Sequence, residues 1–113
     1  MKRLLGNRGE ELAVKYLKKR GFKILERNFR TPLGEIDIIA EDRQILVFVE
    51  VKTRSDDSFG HPFEAVDNRK RERMKRIALL YLKDSGMERP VRFDVVSVEL
   101  RDGERINHIV EAF

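Results

Sequence analysis

The sequence predicts an α/β fold in the order α β β β α β β. Two segments carry apolar residues at helical spacing, and five runs have the alternating or β-branched character of strands. Gly, Pro and Asp punctuate the joints between them. With 113 residues and no linker rich in Pro, Gly or Ser, the chain fits one domain, 1–113, with a core of its own.

From about Arg8 to Arg20, the residues Leu12, Ala13, Tyr16 and Leu17 recur at helical spacing, and Gly21 follows as a C-terminal stop. "FKILERNF" (22–29) reads as a strand with a partly exposed face, and "TPLG" as the turn after it. Two strands fill "GEIDIIAEDRQILVFVEVKTR" (34–54). A polar loop, "RSDDSFGHP", leads to a long helix from about Pro62 or Phe63 to Asp84, with Gly86 past its end. "VRFDVVSVEL" (91–100) is a further strand, "RDGE" a hairpin turn, and Arg105 to Val110 the last strand.

Composition narrows the function. Charged residues make up 39% of the chain and the net charge is +4, a surplus that favours polyanion partners. Its distribution is more telling: residues 1–30 hold ten Lys or Arg against three acidic residues, and "RKRERMKR" (69–76) holds six against one. No cysteine is present, which excludes thiol redox chemistry and thiolate metal sites and suits a reducing cytoplasm. No run approaches the ~20 apolar residues of a membrane span, and the basic N-terminus lacks the apolar core of a signal peptide. A cytoplasmic protein without a membrane partner is expected. No GxxxxGK loop occurs to support nucleotide hydrolysis.

The stretch 34–54 interrupts the best core-forming sequence with charges. If Ala40 faces Ile45, Ile38 faces Val47 and Ile36 faces Val49, one side of the ribbon is Ile36, Ile38, Ala40, Ile45, Val47, Val49 and Val51. The other side then carries Glu35, Asp37, Ile39, Leu46, Phe48, Glu50 and Lys52. In this register Glu50 lies opposite Glu35 and diagonal to Asp37, at roughly 7–8 Å between backbones, so both carboxylates reach one cation. Carboxylates clustered in a partly covered site repel one another unless a cation offsets them. Oxygen donors, with only His61 and His108 as histidines, point to a hard ion, Mg2+ or Mn2+, and away from zinc. Lys52, on the same face, would contact a phosphate oxygen or help orient a metal-bound water.

Asp37 followed after a hairpin by Glu50-Val51-Lys52 resembles the PD-(D/E)XK nuclease signature. The element order resembles the restriction-endonuclease-like fold, an αβββαβ core whose central mixed sheet is flanked by helices, here with an extra C-terminal strand. "GNRGEELAVKYL", "GEIDIIA", "VFVEVKTR", "FGHPFEAV", Lys70 and "RFDVVSV" are similar to the YraN-like family of predicted nucleases, related to Holliday junction resolvases. Ile36 stands where the proline of the motif would be.

The resemblance implies Asp37 and Glu50 as metal ligands with the carbonyl of Val51, Lys52 as the catalytic lysine, and an acid from the first helix. Of Glu10 and Glu11, Glu10 falls at the margin of the apolar face, within about 20° of Leu17, and is the choice. Glu35 is either a further site acid or a partner of Lys52. Arg54, Arg69, Lys70 and Arg73 are the candidate nucleic-acid contacts, the bland alternative being a solvated helix face. Asp94 is expected to pair with a nearby Arg. The implied activity is metal-dependent endonucleolytic hydrolysis of DNA, including branched or junction DNA. The alternative is a catalytically silent, structure-specific nucleic-acid-binding module. Cutting both strands of a duplex needs two sites, so a homodimer is the expected assembly.

Overall fold

The computed structural model describes residues 2–55, 67–86 and 88–113. Their order is α1 (Lys2–Lys19), β1 (Lys23–Thr31), β2 (Gly34–Asp42), β3 (Ile45–Arg54), α2 (Asn68–Ser85), β4 (Val91–Glu99) and β5 (Arg105–Ile109). The expected α/β class and order are found. The strands form one mixed sheet in the order β1-β2-β3-β4-β5, in which only β3 and β4 run parallel. That parallel pair brackets α2, as a crossover connection requires. Among the described residues no helix is long and apolar enough to cross a membrane.

The two helices cover opposite faces. On the α1 face, Ala13, Val14 and Leu17 pack with Phe22, Ile38, Ala40, Val47, Val49, Val96 and Val98. On the α2 face, Met74, Ile77, Ala78 and Tyr81, spaced as one helical stripe, pack with Ile36, Ile39, Leu46 and Phe48. A strand covered on both faces needs apolar residues at nearly every position, which accounts for the run Leu46 to Val49 in β3. Glu50 breaks that run while remaining buried.

The helix ends follow local chemistry. α1 closes where Phe22 N–H reaches Leu17 O and Gly21 N–H reaches Lys18 O, with Gly21 left-handed at φ 91. It begins at Lys2, earlier than the expected Arg8. Gly9 sits where α1 crosses β3: a Cβ there would fall on the side chain of Thr53. α2 begins at Asn68 because Asp67 is an extended N-cap whose Oδ1 accepts from Lys70 N–H at 2.9 Å. The expected start near Pro62 or Phe63, and His61, lie outside the described residues. Gly86, at φ 68, ends the helix as expected.

Two corrections concern β2. Ile38 pairs with Val49, Ala40 with Val47 and Asp42 with Ile45, so the turn is Arg43-Gln44 and the register is shifted by two from the expected one. A shift of two keeps every residue of β3 on its face. It also moves Glu50 away from Glu35; continued past Ile38, the register sets Glu50 against Asp37. The second correction is Ile36, which packs on the α2 face while Ile38 packs on the α1 face. Both have partners in β1, Phe29 and Arg27, and between those partners lies Asn28 at φ 52. A left-handed residue inside a strand breaks the pleat, so the alternation of faces is reset at Asn28 and Asp37.

Candidate metal and nucleic-acid site

The reset of the pleat places Asp37 at the point where β2 and β3 part. Its Oδ2 accepts a hydrogen bond from Val51 N–H at 2.8 Å, replacing a ladder partner with a side chain. Glu50, on the same face as Phe48, points towards α2, and its side chain is 7% exposed. There Lys70, three residues into α2, forms an ion pair with Glu50 Oε2, and Lys52 Nζ stands 3.8 Å from the same oxygen. Four sequence-predicted residues, Asp37, Glu50, Lys52 and Lys70, thus meet in one cluster.

Their electrostatics are unequal. Burial pushes the Asp37 carboxyl up to about 9, helped by its hydrogen bond to Glu50 and the charge of Glu50, against the opposing bond from Val51 N–H. Burial acts on Glu50 in the same sense, but the hydrogen bond from Asp37 and the ammonium groups of Lys70 and Lys52 outweigh it and lower its pKa. At neutral pH Asp37 therefore holds the proton and Glu50 the charge. Burial lowers Lys52, with Lys70 adding to the effect. Burial would lower Lys70 too, yet its contact with Glu50 raises it. Glu50 Oε2 is a buried oxygen whose partners are these two ammonium groups.

Glu10 stands beside the cluster without joining it. Its Oε1 accepts from Asn28 Nδ2 at 2.9 Å and lies 3.5 Å from Arg27, and burial raises its pKa. Its charge is felt at Asp37. Its side chain is 12% exposed, whereas that of Glu11, paired with Arg27 at 2.7 Å, is 60% exposed. Glu35 pairs with Arg30 at 3.2 Å and is exposed, so its partner is Arg30 and not Lys52. Asn28 was absent from the sequence-level site; the one signal was its residue type, since Asn tolerates the left-handed region better than most.

The basic run of α2 divides by helical position. Lys70 enters the carboxylate cluster, Arg71 lies over the ring of Phe113, and Arg69, Arg73 and Arg76 line an open depression of about 390 Å³ with Leu33 and Glu72. Arg73 packs against Gly34, where a Cβ would come within 3.0 Å of it. The depression therefore joins α2 to the β1–β2 turn. Arg54 ends β3, two residues beyond Lys52. Asp94 pairs with Arg92, as expected, through two bonds of 2.9 Å.

Among the described residues, no group of three or more His, Cys, Asp or Glu side chains converges on one point. A metal here would have two carboxylates, Asp37 and Glu50, with remaining positions open to backbone oxygen and water. That donor set suits Mg2+, which binds through one or two carboxylates and keeps several waters. Glu50 Oε2, where the two ammonium groups gather, is the oxygen such an ion would meet.

Residues 9–98 match the model of the "Uncharacterised protein family UPF0102". A UPF0102 protein of Syntrophomonas wolfei is 53% identical over the full length of both chains. One from Thermodesulfovibrio yellowstonii is 49% identical over 96% of this chain and 95% of its own. Another, from Clostridioides difficile, is 48% identical over the same shares. The match spans Glu10, the Asp37 and Glu50-Val51-Lys52 strands, all of α2 and most of β4, and the chain belongs to the UPF0102, or YraN-like, family.

Proposed function

We propose that this protein is a metal-dependent nuclease of the PD-(D/E)XK type acting on DNA. The observation that carries the reading is the buried Asp37–Glu50 pair, with two lysines gathered on one Glu50 oxygen and an arginine-lined depression along the helix that bears Lys70. The αβββαβ order of the sheet and helices supports it as a restriction-endonuclease-like arrangement.

Asp37 and Glu50, with the carbonyl of Val51, would hold Mg2+ or Mn2+. When bound, the ion supplies a polarised water and neutralises charge on the scissile phosphate. The remaining work belongs to the chain. Arg69 and Arg73, with Arg76, engage backbone phosphates flanking the cleaved bond, and Arg54 extends this contact along β3. Lys52 stabilises the negative charge that develops on phosphate oxygen as the P–O bond breaks. Glu10, held by Asn28, adds negative potential at Asp37 and favours cation occupancy.

The test is a panel of labelled single-strand, duplex, flap and four-way DNA with matching RNA, incubated with wild type and Lys52→Ala in Mg2+ and Mn2+. Cleavage of DNA by wild type, lost in Lys52→Ala, supports the reading. Tight structure-selective binding without cleavage by either protein would assign the site to a silent binding module, a reading the occupation of Glu50 by Lys70 favours. Light scattering with and without DNA tests the twofold dimer; a monomer in both would point to nicking or single-strand cleavage.

A further inference from the structure

Two ammonium groups converge on Glu50 Oε2 where a divalent ion would bind. Together they bring the positive charge of that ion. An ion added to both would set four positive charges against at most two carboxylates in a largely buried site, so one ammonium has to leave. Lys52, carried by β3 two positions from Glu50 on the same face, stands 3.8 Å from Oε2, so Lys70 is the ammonium in closest contact with the oxygen a cation would take. Lys70 comes from a different element, the first turn of α2, on a flexible four-carbon stem. One helical turn further lies Arg73, and next to it Arg69, both lining the open depression beside Leu33.

We propose that Lys70 is a resident counter-ion which a divalent metal displaces from Glu50, and that the released ammonium joins Arg69 and Arg73 as a ligand for nucleic-acid phosphate. This rests on the reading of Asp37 and Glu50 as metal ligands. Metal and nucleic acid then bind with positive coupling, because the same lysine competes with the first and assists the second. The coupling is reciprocal: phosphate that captures Lys70 frees Glu50 for the ion.

The experiment is a calorimetric titration of the full chain with Mn2+ and Ca2+, using wild type, Lys70→Ala and Lys70→Arg. A parallel anisotropy titration follows a labelled DNA duplex and a four-way junction with and without Ca2+. Removal of the competing ammonium should tighten metal binding in Lys70→Ala by about fivefold or more, at the lower end of usual coupling factors, while Lys70→Arg stays near wild type. Ca2+ should strengthen DNA binding by wild type severalfold and by Lys70→Ala much less. If Lys70→Ala does not fold, Lys70→Gln retains the stem without the charge and carries the same expectations. Metal bound by wild type but equally or more weakly by the uncharged variant would overturn the displacement and leave the metal site standing. Equal Ca2+ enhancement of DNA binding in wild type and variant would overturn the delivery of Lys70 to phosphate. Absence of metal binding in wild type would overturn both this inference and the reading beneath it.

Discussion

Two buried carboxylate clusters lie on the same sheet, and they are built in opposite ways. On β4, Asp94 has both oxygens filled. Oδ1 accepts from Arg92 Nε at 2.9 Å and Glu111 N–H at 3.0 Å, while Oδ2 accepts from Arg92 Nη2 at 2.9 Å and meets His108 Nε2 at 2.8 Å. Arg92 continues to Asp42 at 3.0 Å, and His108 Nδ1 meets the Tyr16 hydroxyl at 3.3 Å. The network ties β2, β4, β5 and α1 together. At Asp37 and Glu50, by contrast, two carboxyls share one proton and two lysines share one oxygen. A satisfied polar network holds a fold, whereas two buried carboxyls crowded together and offset by ammonium groups on flexible stems call for another explanation, and a ligand supplies one.

The largest expected effect is at the satisfied cluster. Asp94→Ala leaves Arg92 and His108 facing a buried void and should cost about 3–5 kcal/mol in urea unfolding. Although burial pushes Asp94 upward, the bonds from His108 and Arg92 hold its carboxyl below the usual range. Its contribution is therefore present above the unfolded pKa and fades as pH falls through the folded one. A loss under about 1 kcal/mol would erase the contrast between the clusters.

Next is Gly9→Ala, which drives a methyl into Thr53 and should cost about 1–3 kcal/mol by overpacking, read as a fall in Tm. The same shift moves Glu10 and Thr53, and should weaken the response to metal.

At the Asp37–Glu50 cluster the effect is smaller and reversed. Glu50 is the counter-ion of two lysines while Asp37 holds a proton, so Asp37→Asn is the neutral replacement and should be at least as stable as wild type at pH 7. Asp37 is raised from 3.8 to about 9 in the folded protein. Between those values the unfolded chain has released its proton and the folded one has not, so wild-type stability falls as pH rises across that window. Chemical denaturation at several pH values should show that slope flattened in Asp37→Asn. The smallest effect, about 0.5–1 kcal/mol, is expected for Tyr16→Phe, which removes one long hydrogen bond from the satisfied network.

The order of elements was legible because hydrophobic period and turn residues agree along most of the chain. The faces of β3 were legible too, since a register error of two leaves the alternation intact. The register itself was hidden because Arg43, at φ 60, occupies a left-handed turn position usually marked by Asn or Gly. The change of face at Asn28 and Asp37 was hidden for a related reason: a single residue with φ 52 decides it, and no periodicity announces it. The family resemblance set Lys70 apart from its basic run as a nucleic-acid contact, but only the packing of α2 over β3 shows it against Glu50. The helix begins at Asn68 behind the Asp67 N-cap, whereas the sequence favours Pro62 or Phe63 as its start because proline suits a first turn.

If Asp37 and Glu50 hold a divalent cation, thermal unfolding across a Mg2+ and Mn2+ titration will show it. A ligand bound only by the folded state adds about 2.7 kcal/mol at a hundredfold excess over Kd, enough for a rise in Tm of several degrees in a domain of this size. That rise is expected for wild type, its loss in Asp37→Asn and Glu50→Gln, and its survival in Lys52→Ala. A Tm indifferent to metal in wild type, or a rise that persists in both carboxylate variants, would contradict cation binding by the pair.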